Sequence, residues 1–206
     1  MTHPGDLLSD IQRASAGAGD LLQRDYWAAI ESCVHTPSAL LDDLGRRFCE
    51  FPPPDLVSFR RVGDCDRPLE VGDEMDIAIR MTAECRVRVV CRDEQSITLA
   101  TLRGHPEAGR ITFGAYRHES GVVIFHIRSR SRSGNALFAA GFAAFGEAMQ
   151  TNTWADFVAT VANTYGAGVQ GDTHVETQQV EPQADDDGAC TPTFEARGSN
   201  RWLPPC

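Results

Sequence analysis

The chain contains no lysine; all 19 of its basic residues are arginine. A P-loop needs its lysine and Schiff-base chemistry needs a side-chain amine, so both are excluded. Long apolar runs are also missing. The longest, Ala136 to Gly146, stops at Glu147 and falls short of the ~20 residues that span a bilayer. The opening Met1-Thr2-His3-Pro4-Gly5-Asp6 carries no basic residue and no apolar stretch behind it, so no secretory signal is expected. There is no Cys-x-x-Cys, nucleophile elbow, zincin helix or dinucleotide fingerprint. These absences predict a chain without cofactor, metal site or membrane span.

The 206 residues are 42% apolar and 23% charged, the composition of a globular domain. The net charge of -10 is unevenly spread: residues 80–132 carry 10 arginines against 5 acidic groups. Overall acidity argues against a nucleic-acid partner, while the local excess leaves one anion-binding face open. The cysteine count of 7 is odd. Without a signal segment this predicts a reduced, cytoplasmic protein with free thiols. Cys85 and Cys91 fall in an apolar pattern and should pack as small hydrophobes. Cys33-x-His35 offers two metal ligands, but no second pair has a recognisable spacing, and a strand running into a turn explains it as well.

Periodicity divides the chain. Residues 1–21 read as an N-terminal extension, partly helical, joined flexibly through Ala14-Ser15-Ala16-Gly17-Ala18-Gly19. Tyr26 to Ile30 is aromatic and suits a first strand. Thr36-Pro37 reads as an N-cap followed by proline at the first helical position. Leu40, Leu41, Leu44, Phe48 and Phe51 continue at helical spacing, predicting a helix over 37–50 that Pro52-Pro53-Pro54 ends. From 56 to 132 the period is two. Met75, Ile77 and Ile79 alternate with polar residues, as do Cys85, Val87, Val89 and Cys91 with Arg86, Arg88 and Arg92. Strands at 56–60, 73–81, 85–92, 97–102, 111–116 and 122–132 are expected, seven with the first. A helix over 136–165 carries Phe138, Phe142, Phe145 and Met149, then Trp154, Phe157, Val158, Val161 and Tyr165. Residues 167–206, with the run Asp185-Asp186-Asp187, read as a disordered acidic tail.

Strand, helix, six antiparallel strands and a long helix make an α+β layout: a curved seven-stranded sheet around the C-terminal helix. Such a saddle leaves room between helix and sheet, predicting a closed apolar cavity of ~300–1,000 Å³. Thr101-Leu102-Arg103-Gly104-His105-Pro106-Glu107-Ala108-Gly109, then Phe113, Phe125 and the run to Arg132, with Cys85-Arg86-Val87 before them, resemble the family known as domain of unknown function 1990. The likeness covers about residues 25–165. Arg103, Arg110 and Ser133 depart from its pattern, where a neutral residue, an acidic residue and a proline are usual. The resemblance implies a START-like helix-grip domain, here 22–166, in a superfamily whose members bind apolar molecules under the long helix. It brings no established activity.

His105 and Glu107 can form an acid/base pair or simply shape the turn around Pro106 between Gly104 and Gly109. Arg128, Arg130 and Arg132 share a strand face with His126, and Arg86 and Arg88 share another. They can form an anion patch or pair across strands with Glu74, Asp76 or Glu84. The first functional expectation is a module binding a small apolar or amphipathic molecule in the sheet–helix cavity, through Arg128, Phe125, Tyr116, Phe145, Met149 and Trp154. The alternatives are an enzyme using His105 and Glu107 in that cavity, or an interaction module using the Arg-rich sheet face and the acidic tail.

Overall fold

A computed structural model describes residues 8–64, 66–80, 83–183 and 186, with residues 83 and 136–149 described by backbone alone. A 3-10 turn at Ala14–Ala16 precedes β1 (Ala18–Ile30), α1 (Pro37–Arg47) and a 3-10 turn at Phe48–Glu50. Then come β2 (Val57–Val62), β3 (Glu74–Ile79), β4 (Ala83–Arg92), β5 (Ser96–Thr101), β6 (Glu107–Arg117) and β7 (Val123–Ser133). The long helix α2 (Ala136–Tyr165) and a last strand, β8 (Val169–Gln179), complete the fold.

Helix α1 starts where the sequence places it. Thr36 Oγ1 accepts a hydrogen bond from the Ala39 N–H at 3.2 Å, and Pro37 occupies the first helical position. Leu40, Leu41 and Leu44 are buried on one face. Arg46 and Arg47 close the last turn, where positive charge suits the helix dipole.

The sheet order is β2-β3-β4-β5-β6-β7-β1-β8, every pair antiparallel. The α+β architecture stands, but the sheet has eight described strands rather than seven. Residues 169–179, expected within a disordered tail, form β8 along the free edge of β1. Its sequence, Val-Gln-Gly-Asp-Thr-His-Val-Glu-Thr-Gln-Gln, is exposed along most of its length. Main-chain hydrogen bonds to β1 hold it, so it needs no apolar period and its sequence shows none. Strand β1 also starts at Ala18 rather than near residue 25, inside the expected N-terminal extension. The segment before it is anchored by the Gln12 N–H to the Thr101 carbonyl at 2.7 Å and by burial of Ala14.

Helix α2 packs on β1, β7 and β8, while α1 packs on β5 and β6. The rings of Phe48, Phe113, Phe125 and Phe157 are fully buried between them. Centroids lie 4.9 Å apart for Phe48–Phe113, 5.2 Å for Phe113–Phe157 and 6.1 Å for Phe125–Phe157. Each such ring contributes about 2–3 kcal/mol by burial and occupies volume that strand and helix patterning leaves open. The earlier part of the expected stripe, Phe138, Phe142, Phe145 and Met149, lies outside the described side chains. Cys33, Cys49 and Cys85 are free, but Cys91 is disulfide-bonded, against the expectation of free thiols throughout. No helix among the described residues is long and apolar enough to cross a membrane.

Candidate functional site

Alternation sorts the strand residues onto two faces. On the inner face, Tyr26 and Ala28 of β1, Phe113 and Ala115 of β6, and Phe125 and Ile127 of β7 belong to the core. Continuing the same alternation toward the other strand ends brings Arg24, Glu107, Ser129 and Ser131 onto that face. The interior therefore has an apolar body and one polar end.

At that end lies a cavity of about 60 Å³. Phe59, Ile77, Val87, Leu99, Ile111 and Trp154 form its apolar wall, and Thr101, His105, Glu107, Arg110, Ser129 and Ser131 its polar one. It is smaller than the ~300–1,000 Å³ expected, and the side chains of residues 136–149, which the expected cavity includes, lie outside the described set. Glu107 Oε1 accepts from the Ser131 hydroxyl at 3.2 Å and lies 3.7 Å from Arg24 Nη1. The Arg24 side chain is 9% exposed. Its Nε and Nη1 are buried without a hydrogen-bond partner, an uncommon state for a cation away from water. Burial, and then the Glu107 charge, push the Cys85 thiol up to about 12, so it stays protonated.

His105 and Glu107 both border this cavity, and both also build the turn. His105 Nδ1 lies 3.0 Å from the Glu107 backbone nitrogen and 3.1 Å from the Glu107 carbonyl oxygen. Burial lowers the pKa of His105 against the pull of Glu107, so the ring is neutral. Gln12 ties the turn down: its Nε2 donates to the His105 and Glu107 carbonyls at 2.6 and 2.9 Å, and its Oε1 accepts from the Gly104 N–H at 2.9 Å. Gly109 has φ +151°, and a Cβ there would stand 2.2 Å from the Arg130 carbonyl oxygen. The Gly-His-Pro-Glu-x-Gly run is thus a structural hinge between β5 and β6 whose two polar side chains meet the cavity.

Of the six residues expected to contact ligand, Trp154 borders the cavity and Phe125 lies in the core beside it. The side chains of Phe145 and Met149 are outside the described set. Arg128 and Tyr116 are placed differently: they stand on the outer sheet face, because alternation carries them opposite to Phe125 and Phe113. There Arg128 Nε donates to Asp25 Oδ1 at 2.6 Å, and His126 Nε2 meets the same oxygen at 2.7 Å. The Tyr116 hydroxyl lies 3.4 Å from His126 Nδ1, and Trp27 stacks on His174 at 5.0 Å. Burial opposes charge on Asp25, yet the His126 hydrogen bond and the Arg128 charge outweigh it and hold the carboxyl below its ordinary value. Burial lowers the pKa of His126 and outweighs Asp25, leaving a neutral imidazole. Burial pushes Tyr116 up to about 12.

The other arginines are largely satisfied from within. Arg130 Nε and Nη2 donate to the two Asp186 oxygens at 2.5 and 2.9 Å, its Nη1 donates to Gln23 Oε1 at 2.8 Å, and Arg110 Nη2 lies 3.8 Å from Asp186. The acidic segment thus reaches the basic face of its own sheet, and Arg110, where the resembled family has an acidic residue, meets a carboxylate. Arg86 and Arg88 pair across strands with Asp76 and Glu74 at 2.9 and 2.6 Å. These pairs line a wide, open groove of about 720 Å³ on the outer face, a solvated ladder of opposite charges. Among the described residues no group of three or more His, Cys, Asp or Glu side chains is placed to hold a metal. Periodicity misses Arg24 and Asp25, which precede the aromatic strand core, and Gln12. The one usable signal is the extension of strict alternation upstream of Tyr26.

The chain superposes on solved structures that share its fold at low identity. The solution structure of KanY protein (ms6282) matches with TM-score 0.53 and 9% identity, over 72% of this chain and 99% of that one. Truncated norcoclaurine synthase from Thalictrum flavum matches with TM-score 0.51 and 9% identity, over 71% and 96%. The same enzyme in complex with dopamine and hydroxybenzaldehyde matches with TM-score 0.50 and 9% identity, over 70% and 87%. No curated protein matches the sequence. These likenesses establish the START-like helix-grip fold alone. The model of the domain of unknown function DUF1990 matches residues 54–160, just over half of the chain, and the chain belongs to that family.

Proposed function

We propose that this protein binds a small apolar or amphipathic molecule at the polar end of its interior, between the sheet and the C-terminal helix. The observation that carries this reading is a largely apolar-walled space bordered by Glu107, whose carboxylate lies 3.7 Å from Arg24, a buried cation with Nε and Nη1 lacking hydrogen-bond partners. Buried donors without partners are uncommon in packed interiors. The space, about 60 Å³, is smaller than the roughly 150 Å³ that takes a benzene ring, so binding requires the side chains around it to move apart. A norcoclaurine synthase of the same fold has been captured with dopamine and hydroxybenzaldehyde, so one-ring aromatics suit the architecture. The test is calorimetric titration of the purified full chain with 2-phenylethanol, joined to native mass spectrometry for co-purified small molecules. Saturable binding with one site is expected; absence of both heat and adduct defeats the reading.

Catalysis by His105 and Glu107 is a second reading, favoured by one observation: both side chains border the same cavity. It requires that a bound molecule be turned over, and that His105→Ala together with Glu107→Ala abolish turnover. The interaction-module reading has less support, since Arg86, Arg88, Arg128 and Arg130 each meet a carboxylate of this chain. A change in self-association on removing residues 180–206 would favour it.

A further inference from the structure

We infer that the side chains of Arg110 and Arg130 form a phosphate-binding site on the outer sheet face, and that Asp186 of the same chain occupies it in this structure. The site stands apart from the cavity reading and does not depend on it. Arg110 and Arg130 face each other in register across β6 and β7, and Gln23 faces Arg130 from β1. Residues directly opposite share a face, and like charges so placed repel. Each guanidinium side chain is 8% exposed or less, so burial adds its own cost. An anion between the two offsets both terms, and Asp186 supplies it. Its Oδ1 lies 2.5 Å from Arg130 Nε and 3.8 Å from Arg110 Nη2, and its Oδ2 accepts from Arg130 Nη2 at 2.9 Å. This is the forked contact by which arginine takes a carboxylate or a phosphate. Gln23 Oε1 accepts from Arg130 Nη1 at 2.8 Å and fixes the fork in place.

Asp186 fills the site incompletely. It brings one negative charge to two guanidinium groups. Arg132, two residues along β7 on the same face, has a buried Nε without a hydrogen-bond partner, and among the described residues no carboxylate pairs with it. Asp25, also on this face, is taken by Arg128 and His126. A phosphate carries about two negative charges near neutral pH and can offer oxygens to both arginines at once. The present occupant is also removable. Asp186 lies 56 positions beyond Arg130, on a segment whose residues 181, 182 and 183 are exposed. Its departure opens the site without opening the core.

The probes are inorganic phosphate, phenyl phosphate and acetate, titrated at constant ionic strength into the full chain near neutral pH and followed by NMR at the Nε–H signals of Arg110 and Arg130. In Asp186→Asn, phosphate should move both signals and bind at least about tenfold more tightly than in the unmodified chain, because the competing carboxylate is gone. Acetate should bind that variant at least about tenfold more weakly than phosphate does, having half the charge. Adding Arg130→Gln should abolish the shift at Arg110. Tighter binding of phenyl phosphate than of inorganic phosphate supports a phosphate monoester as the ligand, and the reverse order supports the free ion. In the unmodified chain phosphate, but not acetate, should speed proteolysis within residues 180–186, since ligand and segment exclude each other. That measurement needs no variant and decides the matter even where Asp186→Asn does not fold. Equal phosphate affinity with and without the Asp186 carboxylate overturns the proposal. So does acetate binding as tightly as phosphate, a shift at Arg110 that survives Arg130→Gln, or proteolysis indifferent to phosphate.

Discussion

His126 and Asp25 are separated by 101 positions in the chain, yet their side chains share a 2.7 Å hydrogen bond, each 2% exposed or less. The contact ties the middle of β7 to β1, the strand that lies between β7 and the edge strand β8. Arg128 and Gln23 complete it, donating to the two Asp25 oxygens at 2.6 and 2.8 Å. Such a buried charge is held only while its partners are present.

Asp25→Asn should therefore lower stability by about 3 kcal/mol, since it removes the buried carboxylate that Arg128, His126 and Gln23 share. Equilibrium urea unfolding measures this, and a loss below about 1 kcal/mol would show that the network is not a structural clasp.

The same groups set a pH dependence. His126 and His105 both have lowered values in the fold, so below about 6.5 the unfolded chain takes up protons that the native protein does not. Stability then falls as pH falls through that window. Asp25 is depressed as well, and its contribution persists until the pH drops below the ordinary carboxyl value of about 3.9. The urea midpoint should be lower near about pH 5.5 than near about pH 7.5, and His126→Gln should flatten the difference. A flat profile in the unmodified protein would contradict the neutral, buried imidazoles.

The glycines of the β5–β6 turn should separate sharply. Gly109→Ala forces a Cβ to 2.2 Å from a backbone oxygen at φ +151°, and should cost about 2 kcal/mol or more. Gly104, at φ +95°, has nothing within 4 Å of where an added methyl group would stand, so Gly104→Ala should cost only about 1 kcal/mol, the backbone term alone. Thermal melts of the pair, compared side by side, would show equal losses if the close approach at Gly109 were unimportant.

Asp186 latches the segment after β8 through Arg130, both side chains 8% exposed or less. Asp186→Asn should release it. We expect faster cleavage by protease within residues 180–186 and a stability loss of about 1–3 kcal/mol. By contrast Asp76→Asn, in the exposed ladder with Arg60 and Arg86 (79% and 50% exposed), should change stability by less than about 1 kcal/mol. Unchanged cleavage in the first variant would mean that the ion pair does not hold the segment.

Much of this fold is legible ahead of the structure. The α2 boundaries, the α1 cap at Thr36 and six of the strands follow from apolar runs, alternation where one face is wet, and the turn residues that punctuate them. β8 cannot be read this way, since an edge strand held by main-chain bonds needs no apolar face. The site is legible in part. Trp154, His105 and Glu107 stand in recognisable patterns, whereas Arg24 lies in a stretch with no marked period. Residue type alone points Arg128 and Tyr116 inward, and the parity of their strands puts them outside.

The sequence by itself determined the kinds and order of the main elements, and through the Gly-His-Pro-Glu-x-Gly run it determined the family. These depend on neighbours a few residues apart, whose spacing is visible along the chain. Only the tertiary structure decided which aromatic rings meet in the core, that Asp25 meets His126 and that Asp186 meets Arg130. It alone left the buried Arg24 guanidinium with two donors unpartnered. Those outcomes depend on volume and on charges brought together across the sheet from 56 to 103 positions away, a distance at which no local pattern carries information.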